Sequence, residues 1–259
     1  MTNEKTLEVL VVEDQINIVE DKRNTKEDFK NYLEKELVAK GYNTNITVAT
    51  NYNEYLSLKD KPYDVVVTDI MIPGNAVKIG DLVRNEIKNN KEQIEQILER
   101  IDKYINYALP DFYKKDLKEE IKNFLINPDT EVIPNFYGHK EDTYAAGILI
   151  AKDFKDKGKK FTVYTTMAGE MYSHAIRGIV LNGILGVIPI EDWNSVTRHE
   201  LEVIRKRDEN EQEEMIKKNL KPSTPESGKI TFISSAGEKS RLYPEAVRLA
   251  IEYQTKQIK

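Results

Sequence analysis

Short apolar runs alternate with helix-patterned stretches over the first third of the chain. Leu7-Glu8-Val9-Leu10-Val11-Val12 is a β-branched run that ends on Glu13 and Asp14, the pattern of a buried strand. Phe29, Leu33 and Leu37 then recur at four-residue spacing and stop at Gly41, which predicts a helix. Thr44 to Ala49 predicts a second strand and Asn51 to Leu58 a short helix. Tyr63-Asp64-Val65-Val66-Val67-Thr68 forms a third strand that runs into Asp69 and, after Ile70-Met71-Ile72, the turn Pro73-Gly74. Strands alternating with helices imply a parallel sheet with right-handed crossovers.

A different period follows. Ile87, Ile94, Ile97, Leu98, Ile101, Tyr104, Ile105 and Ala108 fall on one face of a single long helix that Pro110 ends. Leu117, Ile121, Phe124 and Leu125 mark a second amphipathic helix, broken at Asn127-Pro128-Asp129. Two helices alone bury little apolar area, so this hairpin either packs on itself or offers a dimer seam or docking face. The α/β pattern resumes at Ala146-Gly147. A helix runs to Gly158, Phe161 to Thr166 reads as a fourth strand, and Glu170 to Asn182 as a helix. Gly186 to Ile190 reads as a fifth strand, and Trp193, Val196, Leu201 and Ile204 line a final helix. Beyond it, Arg205 to Glu214 contains no apolar residue and Lys221 to Gly228 is a loop. Lys229 to Ser234 then predicts a strand and Pro244 to Gln257 a helix, too small for a core of their own.

Composition narrows the chemistry. The 259 residues carry a formal charge of −5, with 39% hydrophobic and 32% charged positions, which suits a globular chain and argues against nucleic acid as a partner. There are no cysteines, which removes disulfides, thiol catalysis and zinc–cysteine sites. No run approaches a membrane span, and Met1 to Thr6 is polar, so neither a membrane partner nor a signal peptide is expected and a cytoplasmic location is. His139, His174 and His199 have no metal-ligand spacing. Ser234 to Ser240 lacks the glycine spacing of a phosphate loop.

The strand ends hold the candidate chemistry. In open α/β sheets reactive groups collect at the carboxyl ends of the strands. Glu13, Asp14 and Asp69 sit at two such ends and form a hard-oxygen pocket suited to Mg²⁺. Asp69 is the candidate nucleophile toward a phosphoryl group.

On Val11-Val12-Glu13-Asp14, on Tyr63-Asp64 through Pro73-Gly74, and more loosely on the region after Gly147, the chain resembles the receiver domain of two-component response regulators. The resemblance covers about half of the chain. It implies a flavodoxin-like, doubly wound five-stranded parallel sheet with a helical hairpin inserted after the third strand and a small C-terminal extension. The body would comprise residues 1–76 and 143–205, the insertion 77–142 and the extension 206–259. It further implies that Asp69 accepts the phosphoryl group and that Thr166 contacts it, with Thr165 as the alternative. Mg²⁺ would be held by Glu13, Asp14, Asp69 and the backbone carbonyl of Met71. The implied partners are a histidine kinase or phosphotransfer protein and an output protein reached through the insertion or the tail. The protein would signal rather than catalyse a reaction of its own.

The pattern departs from the family in four places. The aspartate motif is one residue longer than usual. The fifth strand offers Ile190 or Pro189 where the family has a lysine, Val187 stands where an aromatic ring is common, and Met167 replaces a small residue. Lys78 and Arg84 of the insertion are the candidate substitutes for the missing cation. A second reading is therefore a pseudo-receiver, a binding module without phosphoryl chemistry. Haloacid-dehalogenase-type phosphatases are disfavoured because Met71 occupies the place of their second carboxylate.

Overall fold

Strand β1 (Leu7–Val12) pairs in parallel with β2 (Thr44–Ala49) on one side and β3 (Val65–Thr68) on the other, and β3 pairs with β4 (Thr162–Val163). The sheet order is β2-β1-β3-β4, all parallel. The computed structural model describes residues 5–16, 25–74, 76–108, 111–129, 145–164, 172–188 and 236–255. Among these, eight α-helices cover the two faces of the sheet: α1 (Lys26–Ala39), α2 (Tyr52–Leu58), α3 (Ala76–Asn89), α4 (Ile94–Ala108), α5 (Asp111–Ile126), α6 (Ala146–Asp156), α7 (Tyr172–Leu185) and α8 (Ala236–Thr255).

Strand periodicity sorts the core into two layers. Val9, Val11, Val65 and Val67 point to the layer that holds Phe29, Leu33 and Leu37 of α1 and Tyr243, Ala246, Val247, Ala250 and Ile251 of α8. Leu10, Val12 and Val66 point to the opposite layer, shared with α2 to α7. Alternate residues of one strand face opposite sides, so a continuous apolar run is what a sheet covered on both faces requires. Each fully buried Leu, Val or Phe contributes about 1.5–3 kcal/mol. Thr25 starts α1 with a capping box, accepting from the Asp28 amide while Asp28 returns a bond to the Thr25 amide.

The single long helix expected across Ile87 to Ala108 is two helices. Asn90 leaves helical geometry, its side-chain amide donates to the Glu86 carbonyl at 2.7 Å, and a short 3₁₀ turn, Lys91–Gln93, leads into α4. Asparagine competes with the helix for its own carbonyls, which is why the chain breaks there. The apolar face of α4 is buried inside the chain. Ile97, Ile101, Tyr104 and Ile105 are all buried, and α4 packs on α7 as well as on α5.

The expected fifth strand does not join the sheet within the described residues, where four strands are present. At Ile188 the backbone N–H donates to Asn182 Oδ1 and the carbonyl accepts from Asn182 Nδ2, both at 2.8 Å. The Tyr104 hydroxyl donates to the same carbonyl. Both backbone polar groups of Ile188 are thus taken by side chains rather than by a ladder. Pro189, Ile190, the helix expected near Trp193 to Ile204 and the strand at Lys229 to Ser234 lie outside the described residues. The last helix starts at Ala236, earlier than expected, and Pro244 lies inside it rather than at its first turn. Proline costs the helix one bond. The buried face of α8 against β3 and α1 retains the helix across it. No helix among the described residues is long and apolar enough to cross a membrane.

Candidate functional site

The register of β1 and β3 sets Val12 beside Thr68, so the residues that follow each strand emerge side by side. The Asp69 amide donates to the Val12 carbonyl at 3.0 Å, and the Glu13 amide to the Ala49 carbonyl at 2.9 Å. Three ladder positions thus fix two acidic residues in space. Glu13, Asp14 and Asp69 each bring a carboxylate oxygen into a group whose members all lie within 4.8 Å of one another. Glu13 is 0% and Asp69 2% exposed, while Asp14 is partly exposed.

Local bonds hold these carboxylates. Asp69 Oδ1 accepts from the Ile70 amide at 2.6 Å, and Glu13 Oε1 accepts from the Gln15 amide at 2.9 Å. The Asp69 carbonyl accepts from the Thr68 hydroxyl at 2.9 Å. The start of α6 closes the floor, with Gly147 N–H donating to the Ile70 carbonyl at 3.1 Å. A β-carbon on Gly147 would overlap the Asp69 carbonyl oxygen, so this contact requires glycine.

An unforeseen side chain packs close to the strand ends. Tyr243 of α8 is fully buried. Its ring stands edge-on to Phe29 at 5.5 Å and to Tyr164 at 5.0 Å. The charges of Glu13 and Asp69 act on its hydroxyl. Burial foremost, then those two charges, push the phenol well above its ordinary pKa. No local motif marks Tyr243 in the sequence. A tyrosine before a proline carries no periodic signal, and its ring partners Phe29 and Tyr164 lie 214 and 79 positions away.

The expected site residues divide as follows. Glu13, Asp14 and Asp69 come together. Met71 follows two residues on, its side chain in the main core. Thr166, its alternative Thr165, and Met167 lie outside the described residues, as does the side chain of Lys78. Arg84 is engaged within the insertion, its Nη1 paired with Asp81 and its Nε donating to the Pro128 carbonyl, both at 3.1 Å. Val187 is buried.

The donor set fits a hard divalent cation. It consists of carboxylate oxygens, two of the three side chains are shielded from water, and closely spaced buried carboxylates are costly to keep ionised without a compensating charge. The chain matches no protein-family model, no curated protein and no solved structure.

Proposed function

We propose that this chain is an atypical receiver that accepts a phosphoryl group on Asp69 in a two-component or phosphorelay system and signals through protein contacts. The observation that carries the reading is the convergence of Glu13, Asp14 and Asp69 at the carboxyl ends of two adjacent parallel strands. The sheet order β2-β1-β3-β4 supports a flavodoxin-like body, in which a fifth strand would follow β4.

In the proposed reaction an Asp69 carboxylate oxygen attacks phosphorus and forms an acyl phosphate. The bond from phosphorus to the donor atom, a histidine nitrogen of a kinase or phosphotransfer protein, breaks, and its electron pair leaves with the donor. Mg²⁺ held by Glu13, Asp14, Asp69 and the Met71 carbonyl would supply charge neutralisation for the transferred group. The Ile70 amide on Asp69 Oδ1 orients the nucleophile, and the Gln15 amide orients Glu13. Thr166 is the proposed contact to the phosphoryl oxygens. Output would pass through contacts of the insertion or of the tail with a protein partner.

The burial of Asp69, at 2% exposure, favours a second reading, a pseudo-receiver that binds partners without phosphoryl transfer. Intact mass after incubation with Mg²⁺ and acetyl phosphate separates the two. The receiver reading expects a gain of one phosphoryl group in the native protein and none in Asp69→Asn. An unmodified native protein, even with a phosphodonor kinase supplied, leaves the pseudo-receiver.

A further inference from the structure

We propose that the cleft between α2, α3 and α6 is a binding site for a free amino acid with an apolar side chain. The inference is independent of the receiver reading, since none of the residues it uses belongs to the acidic pocket.

The cleft lies where the inserted helix α3 faces the body helices α2 and α6, and it takes in Leu185 at the end of α7. Its volume is about 220 Å³, more than the roughly 150 Å³ that holds a benzene molecule in an apolar interior. Its apolar lining is Tyr52, Tyr55 and Leu56 of α2, Leu82 of α3, Leu149 of α6 and Leu185. Leu82 is 42% exposed, whereas Ile79, Val83 and Ile87 of the same helix are buried. Helix α3 therefore turns one large apolar side chain to the cleft and leaves it uncovered. Tyr52 and Tyr55 stack with 5.9 Å between ring centroids, and the Tyr55 hydroxyl donates to Asp153 Oδ2 at 2.5 Å. That wall is fixed in advance, which lowers the cost of ordering it around a ligand.

Charge decides the class of ligand. Lys59, Glu86, Lys152, Asp153 and Asp156 line the cleft. Lys152 pairs with Asp156 at 2.5 Å, and Asp153 pairs with Lys157 at 2.9 Å, so these charges offset one another. The Lys59 ammonium and the Glu86 carboxylate form no ion pair among the described residues. Glu86 Oε1 accepts one hydrogen bond, from Asn90 Nδ2 at 3.2 Å. One cation and one anion thus remain for a ligand, on either side of an apolar lining. A carboxylate for Lys59, an ammonium for Glu86 and an apolar body between the helices describe an amino acid of about the size of leucine or phenylalanine. Charge-assisted bonds of this kind are strong and orient what they hold. A simple carboxylic acid would leave Glu86 facing it unpaired, and a simple amine would leave Lys59 so. Leu82 and Glu86 belong to α3, so the bound molecule bridges the insertion to the body.

Calorimetric titration of the full chain with L-leucine and L-phenylalanine tests the site. The analogues lacking the ammonium (isocaproate, phenylpropionate) and those lacking the carboxylate (isoamylamine, phenethylamine) are titrated beside them. At least one of the two amino acids is expected to bind saturably, with a Kd of about 1 mM or tighter. Lys59→Ala and Glu86→Gln should each weaken it about tenfold, as should loss of either end of the ligand. Lys59 and Glu86 are only half-buried, so neither substitution touches the core. Amide exchange across residues 76–89 should slow when the site is filled. Failure of both amino acids to bind overturns the proposal. So does binding that Lys59→Ala and Glu86→Gln both leave unchanged, since the ligand would then sit elsewhere. Analogues that bind as tightly as the amino acid also overturn it, because the two charges would have no role. None of these results depends on whether Asp69 takes a phosphoryl group.

Discussion

Gly147 and the backbone of Asp69 are in direct contact. A β-carbon at 147 would overlap the Asp69 carbonyl oxygen and come within 2.7 Å of its carbon and 2.8 Å of Ile70 Cα. These are backbone atoms at the end of a central strand, so they cannot turn aside as a side chain would. Gly147→Ala is expected to destabilise by about 3 kcal/mol or more, at the upper end of overpacking effects. It should also displace Asp69 from its partners. Urea unfolding measures the first, and loss of Mg²⁺ binding the second. A variant with native stability would mean that α6 can shift away without cost.

The acidic pocket predicts a cation-dependent stability. At a concentration about one hundred times its dissociation constant, Mg²⁺ should add about 2.7 kcal/mol to the native protein. Asp69→Asn keeps an oxygen for the Ile70 amide and removes one of the clustered negative charges. It should therefore be more stable than the native chain without Mg²⁺ and respond less to its addition. Thermal unfolding of both proteins with and without Mg²⁺ checks this, and equal responses would remove Asp69 from the ligand set.

Gln254 makes a separate prediction. Its amide bonds both Val66 backbone groups, and its Nε2 also donates to Thr162 Oγ1 at 2.9 Å. Gln254→Ala leaves a strand N–H and carbonyl without those bonds, at a cost of about 1–3 kcal/mol. Chemical denaturation reads the difference. A loss within error of zero would show that water replaces the amide.

Acid lability should follow from Asp64 and Asp153, whose pKa values lie below the ordinary 3.8 of aspartate. At each, burial raises the value but is outweighed, by Lys5 and the Glu8 amide at Asp64, and by Tyr55 and Lys157 at Asp153. A carboxylate with a folded-state pKa below its unfolded one stabilises the fold above the unfolded value. That contribution disappears as pH falls through the folded value. Stability from these pairs is therefore present at neutral pH and lost below about pH 4. Urea midpoints across the acid range should show the fall, and Asp153→Asn should make it shallower.

Strands β1 and β2 are legible in the sequence to the residue, β1 because a strand covered on both faces demands a nearly continuous apolar run, and β2, an edge strand with Asn45 exposed, because Thr44, Ile46, Thr47 and Val48 are β-branched. The convergence of Glu13, Asp14 and Asp69 was legible for the same reason, since strand ends in a parallel sheet lie on one edge. The Asn90 break was hidden by apolar spacing that continues across it from Ile87 to Ile94. The unpaired segment at Ile188 was hidden because Val187-Ile188 looks like a strand until Asn182 captures its backbone. Tyr243 was hidden most deeply. Its role comes from packing against Phe29 and Tyr164, and Pro244 beside it suggested that the helix began there.

Synthesis order gives the packing of α8 on the sheet one more meaning. Glu13 at the end of β1 and Tyr243 of α8 are 230 positions apart, which a ribosome working at about 5–20 residues per second takes roughly 10–45 s to span. Through that interval β1 can form, yet the helix that covers its Val9 and Val11 face has not been made. A nascent chain therefore leaves this face of the sheet uncovered until α8 has left the exit tunnel, and partners that recognise the covered sheet meet only chains translated at least that far.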